Sequence, residues 1–340
     1  MRIVALLLLC SVFAMSANAL PSAPRAAHPK APVPPASNPA PVVGVLLQPT
    51  YGNLAPFGSQ LLQANMVKFL ESGGSRVVPI PLDAPEDVLD GLLRSVNGVA
   101  FMGGATNIIV EPDSPYFAQA TRIFNYTLQA NDAGDYFPLL GICLGHQLLL
   151  LMAGHDQHLM DNITFDSEDL SLPLDFAADA ADARFVHAIP EQLRQPLQFE
   201  PLTDNQHHNG VTPDAFSRNR HLPSFFRVIS TNLDRKGQPF VSTVEAFNYP
   251  IWGVQWHPER PLFEWSDEVN RSLEAIQVGQ FVSSFFIEET KRSPHRFPSQ
   301  SAELAALVYQ DPITYTYALT NGSYAQMYFY PPYHQMQRFQ

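Results

Sequence analysis

Residues 136–154, YFPLLGICLGHQLLLLMAG, decide how the chain is read. Leu139, Leu140 and Ile142 make a short apolar run, which suits a strand buried on both faces. Gly141 and Gly145 flank Cys143 in the pattern G-x-C-x-G. Leu148 to Met152 continue as an apolar helix, and Gly154 supplies a stop. Two glycines around one reactive residue allow a sharp strand-to-helix corner. The residue on that corner is then exposed as in the G-x-S-x-G elbow, here with sulfur in place of oxygen. The helix start points free N–H groups and the positive dipole end at the sulfur, which favours thiolate. The competing reading is a core cysteine in a strand–helix contact, because free cysteines are often buried.

Upstream, strand and helix patterns alternate. VVGVLLQ (42–48) reads as a buried strand, and SQLLQANMVKFLESGG (59–74) as a helix with an apolar stripe of Leu62, Met66, Phe69 and Leu70. RVVPI (76–80) reads as a strand, residues 85–95 as a short helix, GVAFMGG (98–104) as a strand ending in a glycine pair, and residues 114–130 as a helix. Such alternation predicts an α/β fold, doubly wound, with a mostly parallel sheet flanked by helices. Sites in such sheets lie at the carboxyl ends of the strands, where Gly103-Gly104 and Cys143 would both fall. Residues 160–223 are less regular. FFRVISTN (225–232) and PFVSTVEAFNYP (239–250), separated by Arg235-Lys236-Gly237, predict an antiparallel extension. IWGVQW (251–256) predicts one more strand, and residues 269–292 a helix with Phe281, Val282, Phe285 and Phe286 available for burial.

The 340 residues are 46% hydrophobic and 15% charged, ample for a large core. A net charge of −12 without a basic stripe argues against nucleic acid as a partner. Arg2, an apolar run from Ile3 to Met15 and Ala17-Asn18-Ala19 predict a secretory signal peptide over 1–19. No later apolar run is long enough to span a membrane. Residues 20–40 are dense in Pro and Ala and predict a disordered leader. The folded domain is expected over 41–297, and a tyrosine-rich C-terminal tail over 298–340, packed on the domain or loosely ordered. Loss of Cys10 with the signal peptide leaves Cys143 as the sole thiol, a candidate nucleophile. Sequons at Asn125, Asn162, Asn270 and Asn321 are expected glycosylation sites of a secreted or lysosomal (vacuolar) product.

A thiolate nucleophile needs a base, and the base needs an orienting acceptor. VQWHPE offers both. His257 falls at a predicted strand end, and Pro258 makes a rigid turn that can hold Glu259 against the imidazole. Preorganised N–H donors for an oxyanion are worth ~3 kcal/mol each. The candidates are the backbone amides of Leu144 and Gly104, with Gly103 beside them. Any one of the 11 histidines, taken alone, is more readily a packed or solvated residue than a base.

GICLGHQ, the upstream MGG and QWHPE together resemble the class I glutamine amidotransferase-like superfamily with its Cys-His-Glu triad. Within it, residues 41 to about 335 resemble the gamma-glutamyl hydrolase (folylpolyglutamate hydrolase) family. MVKFLESGGSRVVPI, GDYFPLLGICLG, EPLTDNQHHN, FFRVISTN, YPIWGVQWHPE, FEW and FFIEETKR carry the likeness. The resemblance implies a cysteine peptidase that cleaves gamma-linked glutamates from folylpoly-gamma-glutamates. Cys143 would be its nucleophile, His257 its base and Glu259 the orienter, with His207 near the substrate. Two positions depart. His146-Gln147 stand where the hydrolases usually carry Phe-Glu, and are nearer to glutaminase subunits such as that of carbamoyl-phosphate synthetase. The aromatic residue that the family carries after His207 is missing.

The helix after the elbow puts His146 near the site, in contact with substrate or packed. His207 and His208 would gain charge in an acidic compartment and meet the substrate's carboxylates, unless TDNQHHNG (203–210) is a polar surface loop. No metal site is expected, since the mature chain has no cysteine pair, HExxH or clustered acidic loop. Thioester hydrolysis needs no cofactor, and no phosphate-binding loop appears. The partner is thus a small-molecule substrate, and a homodimer is left open. A glutamine-hydrolysing enzyme and a non-catalytic secreted binding protein are the alternatives.

Overall fold

Alternate residues of the first strand face opposite layers in the computed structural model, which describes residues 33–106, 114–160, 163–266 and 268–336. The expected signal peptide, most of the leader and Asn162 lie outside the described residues. Val43 and Val45 of β1 (Val42–Leu46) enter one apolar core, and Val42 and Leu46 a second. That is the period of two that a strand buried on both faces requires. The first core takes the apolar stripe of α1 (Ala64–Ser72) and Val278, Val282 and Phe286 of the helix Leu273–Thr290. The second takes α2 (Glu86–Leu93), α3 (Pro115–Asp132) and α4 (Leu144–Gly154). Side-chain oxygens of Ser114 and Ser272 accept from Phe117 and Ala275 N–H, capping α3 and the helix Leu273–Thr290.

Between these layers runs an eight-stranded sheet. Its parallel part, in spatial order, is β4 (Arg76–Ile80), β1, β5 (Val99–Phe101), β6 (Leu139–Ile142) and β12 (Ile251–Val254). An antiparallel extension follows: β11 (Pro239–Ala246), β10 (Phe226–Leu233) and β8 (Asp175–Phe176). This is the architecture that the alternating pattern predicts. A four-stranded sheet of order β13 (Ile313–Tyr315), β14 (Gln326–Tyr330), β3 (Gln60–Gln63) and β2 (Gln48–Pro49) lies beside it. A third sheet pairs β7 (Ser167–Leu172) with β9 (Thr203–His207).

The expected helix over 59–74 begins only at Ala64. Gln60–Gln63 form β3 instead, paired with β14 through Gln63↔Met327 and Leu62↔Tyr328. Leu61 and Leu62 suit a helix by spacing, but a partner some 265 residues later in the chain claims their backbone. The C-terminal segment therefore packs on the domain up to residue 336, through β13, β14 and the helix Gln300–Ala306. TDNQHHNG is not a surface loop over its first five residues. Those residues are β9, and they are largely buried.

Candidate active site

Cys143 follows β6 directly and precedes α4, with φ 49° and ψ −102°. A positive φ on a residue with a side chain is strained and persists only where surroundings enforce it. The surroundings do so. The Cys143 N–H donates to Val254 O at 2.7 Å, and its carbonyl accepts from Gln147 N at 3.0 Å. A Cβ on Gly141 would lie 2.5 Å from Gly145 O, and one on Gly145 would lie 2.2 Å from Phe101 O. Only glycines let the elbow fold this tightly against itself and against β5.

β12 lies beside β6, so the chain leaving it delivers His257 to the elbow. His257 N–H donates to Asp204 O at 2.8 Å, which ties the segment to β9. The His257 ring lies beside Cys143, both of them against Gly103, while the thiol itself is directed at Gln206 O at 4.0 Å. Its Nδ1 meets Glu259 Oε1 at 2.6 Å. All three side chains are buried. Burial works against a charged imidazole, but the Glu259 carboxylate and the sulfur outweigh it and raise His257 to about 10. The group is therefore held in its imidazolium form at neutral and acidic pH.

Behind this line lies a buried ion pair, Arg260 Nε to Asp204 Oδ2 at 3.0 Å. Burial pushes the Asp204 carboxyl up, while Arg260 and His257 pull it down, and the net shift is upward. The Arg260 guanidinium donates to Ser323 O at 3.1 Å and stacks on the Tyr324 ring at 5.8 Å. Glu264 accepts from Ala325 N–H at 2.8 Å, and burial raises its carboxyl to about 7. Residues 323–325 thus brace the residues that follow His257.

Gly103 sits against the same pair. A Cβ there would lie 2.5 Å from His257 Cε1 and 3.4 Å from Cys143 Cβ. Leu144 is the first residue of α4, so its N–H has no intrahelical acceptor, as an oxyanion donor requires. The structure places His207 on β9 with Nδ1 against Asn209 O at 2.9 Å and its ring edge-on to Phe240. The expected charging of His207 in an acidic compartment does not occur in this environment. Burial lowers His207 to about 3, so the ring stays neutral at mildly acidic pH. His208 is exposed and faces Glu168 at 2.9 Å. His146 also differs from a substrate contact: it exposes no surface, packs against Gly253, and burial lowers it to about 4. Asn125 and Asn321 are exposed, and Asn270 is half-buried.

Sequence reasoning missed Gln255. Its Nε2 donates toward Cys143 Sγ at 3.7 Å, and its Oε1 accepts from Gln147 Nε2 at 3.3 Å. The signal was present, since Gln255 and His257 are two residues apart at a strand end and so share a face. It also missed Gln48 and Gln63, whose Nε2 groups each donate to Gly103 O at 2.9 Å. Among the described residues no cluster of three His, Cys, Asp or Glu could hold a metal ion, and no helix is long and apolar enough to cross a membrane.

A buried thiol, an imidazole and a carboxylate thus meet beyond the carboxyl ends of two adjacent parallel strands of an α/β fold. The chain belongs to the peptidase C26 family, whose model matches residues 41–259. It is 36% identical over 279 residues to gamma-glutamyl hydrolase of Homo sapiens, covering 81% of this chain and 86% of that one. It is 35% identical over 288 residues to gamma-glutamyl hydrolase B of Dictyostelium discoideum, covering 84% and 82%. Against gamma-glutamyl hydrolase 1 of Arabidopsis thaliana it is 37% identical over 281 residues, covering 81% and 78%. The enzyme is thus a cysteine-dependent hydrolase.

Proposed function

We propose that the chain hydrolyses gamma-glutamyl amide bonds of folylpoly-gamma-glutamates and similar poly-gamma-glutamates, with Cys143 as nucleophile, His257 as acid and base, and Glu259 as orienter. The observation that carries the roles is the placement of His257, packed with Cys143 against Gly103 on one side and 2.6 Å from Glu259 on the other. The named relatives, all gamma-glutamyl hydrolases, support the substrate. The Cys143 thiolate adds to the amide carbonyl carbon. The oxyanion that forms is met by the N–H groups of Leu144 and Gly104. The His257 imidazolium protonates the departing amine, the C–N bond breaks, and a thioester remains. Neutral His257 then takes a proton from water, hydroxide adds to the thioester, and the thiolate leaves. Glu259 keeps Nδ1 of the ring protonated and stabilises its charge throughout.

The signal-peptide pattern at 1–19 and the exposed sequons at Asn125 and Asn321 support secretion or delivery to a lysosome or vacuole. The test is a defined pteroylpoly-gamma-glutamate, followed by product chain length over time at acidic and neutral pH, beside free glutamine. The expected result is chain shortening by the wild type and none by Cys143→Ala at unchanged fold. Hydrolysis of glutamine alone would reject the substrate, and turnover by Cys143→Ala would reject the mechanism.

A further inference from the structure

We infer that Gln48 and Gln63 are positioning residues that lock the Gly103–Gly104 peptide with its N–H toward Cys143, where that N–H receives the oxyanion. A peptide unit is planar, and in the trans form its C=O and N–H point in opposite directions, so fixing one fixes the other. The described residues contain no cis peptide bond. The Gly103 carbonyl is gripped twice, by Nε2 of Gln48 and Nε2 of Gln63, each at 2.9 Å. Both lone pairs of that oxygen are thereby engaged. Both glutamines are buried, so neither bond competes with water. Gln48 Nε2 also lies 3.3 Å from Met102 O and 3.2 Å from Tyr116 Oη, which holds its own amide in place.

The two flanks of the peptide show which way it faces. On one side a Cβ on Gly104 would lie 2.0 Å from Gln48 Oε1. On the other, a Cβ on Gly103 would lie 2.5 Å from His257 Cε1 and 3.4 Å from Cys143 Cβ. The peptide is therefore a thin layer between the glutamines and the reacting pair, and only two glycines fit it. Its carbonyl faces the glutamines, which turns its N–H to the side of the sulfur. Gln48 lies on β2 and Gln63 on β3, antiparallel neighbours through Gln48↔Leu61. β3 is held in turn by β14 through Gln63↔Met327. The C-terminal hairpin is thus the backing of the oxyanion donor.

The inference rests on the hydrolase reading, and its test separates the two. Iodoacetamide alkylates a thiolate without forming an oxyanion, whereas amide hydrolysis requires one. In Gln48→Leu with Gln63→Leu, kcat should fall ~10²–10³-fold, the size of one lost oxyanion donor, with KM within about twofold. The single variant Gln63→Glu, whose carboxylate cannot donate, should lose at least ~10-fold in kcat and serves if the double variant does not fold. The rate of Cys143 alkylation should stay within about twofold in both. An aldehyde analogue of the gamma-glutamyl group should bind more weakly by the same factor that kcat loses. A kcat within threefold of wild type, or alkylation falling in step with kcat, would overturn the positioning role. Turnover by Cys143→Ala would instead overturn the hydrolase mechanism itself.

Discussion

Replacing Gly103 with alanine tests how closely the glycine pair frames the reaction. The new methyl would lie 2.5 Å from His257 Cε1, where ordinary contact begins near 3.4 Å. The backbone of Gly103 is anchored by Gln48 and Gln63, so the imidazole is the part that yields. A retreat of about 0.9 Å, the difference between those distances, would stretch the 2.6 Å contact with Glu259 to as much as ~3.5 Å, beyond a useful hydrogen bond. A 1 Å misplacement of a reacting group costs ~10²-fold, or ~2.7 kcal/mol of transition-state stabilisation. Steady-state kinetics on a gamma-glutamyl peptide should therefore show kcat/KM reduced by about two orders of magnitude. The thermal midpoint should fall little, because no core volume is lost. Gly91→Ala is the matched control. Its added methyl meets nothing within 4 Å, and in the interior of α2 it should leave kcat/KM unchanged while stabilising by ~1 kcal/mol. Gly103→Ala within threefold of wild type, with the control behaving as stated, would refute the close contact.

Three further outcomes follow from the same geometry. Glu259→Gln removes the charge that holds His257 protonated in a buried site, and kcat should drop ~10²–10⁴-fold; a drop under tenfold would count against an orienting carboxylate. His146 and His207 are neutral in the fold, lowered to about 4 and about 3, but titrate near 6.5 when unfolded. Their contribution is full above pH ~6.5 and is lost as pH falls toward 4, by up to ~1.4 kcal/mol per pH unit for each. Denaturant unfolding from pH 7 to 4 should show that slope, partly offset by Glu264, whose raised carboxyl acts in the opposite sense, and His146→Gln should flatten it by up to one histidine's share. Gln255→Leu removes the amide donor to Cys143 Sγ and should slow iodoacetamide alkylation at least threefold; an unchanged rate would show that the contact is packing alone.

What the sequence discloses is local. The G-x-C-x-G corner forces its own backbone, and strands buried on both faces announce themselves as apolar runs, so β1, β4, β5, β6 and β12 were legible. His257 and Glu259 were legible because proline ties them together two residues apart. What was not legible depends on partners far along the chain. Gln60–Gln63 carry a helix-compatible pattern until β14 pairs with them. Gln48 and Gln63 read as ordinary polar residues, and only the fold turns both amides onto one carbonyl. The neutral state of His207 could not be read either, since a polar run such as TDNQHHNG does not reveal that Phe165 and Phe240 enclose the ring.

The pairing of β3 with β14 also sets a schedule. Synthesis runs from the N-terminus, and every strand of the parallel sheet is complete once residue 254 is made. The elbow at Cys143 closes with them, since its N–H donates to Val254 O. Gln63 gains its strand partner only with residues 326–330. At ~5–20 residues per second, the ribosome takes ~4–15 s to cover the interval from residue 254 to residue 330. On the role inferred for Gln63, the nascent chain for that time holds the Cys143 thiol without the backing of its oxyanion donor. Chains stalled after residue 300 should accept iodoacetamide at Cys143 yet leave a gamma-glutamyl substrate intact. Turnover by such chains would show that the last strand arrives too late to matter. On the inferred role of Gln63, activity waits for the strand formed by residues 326–330.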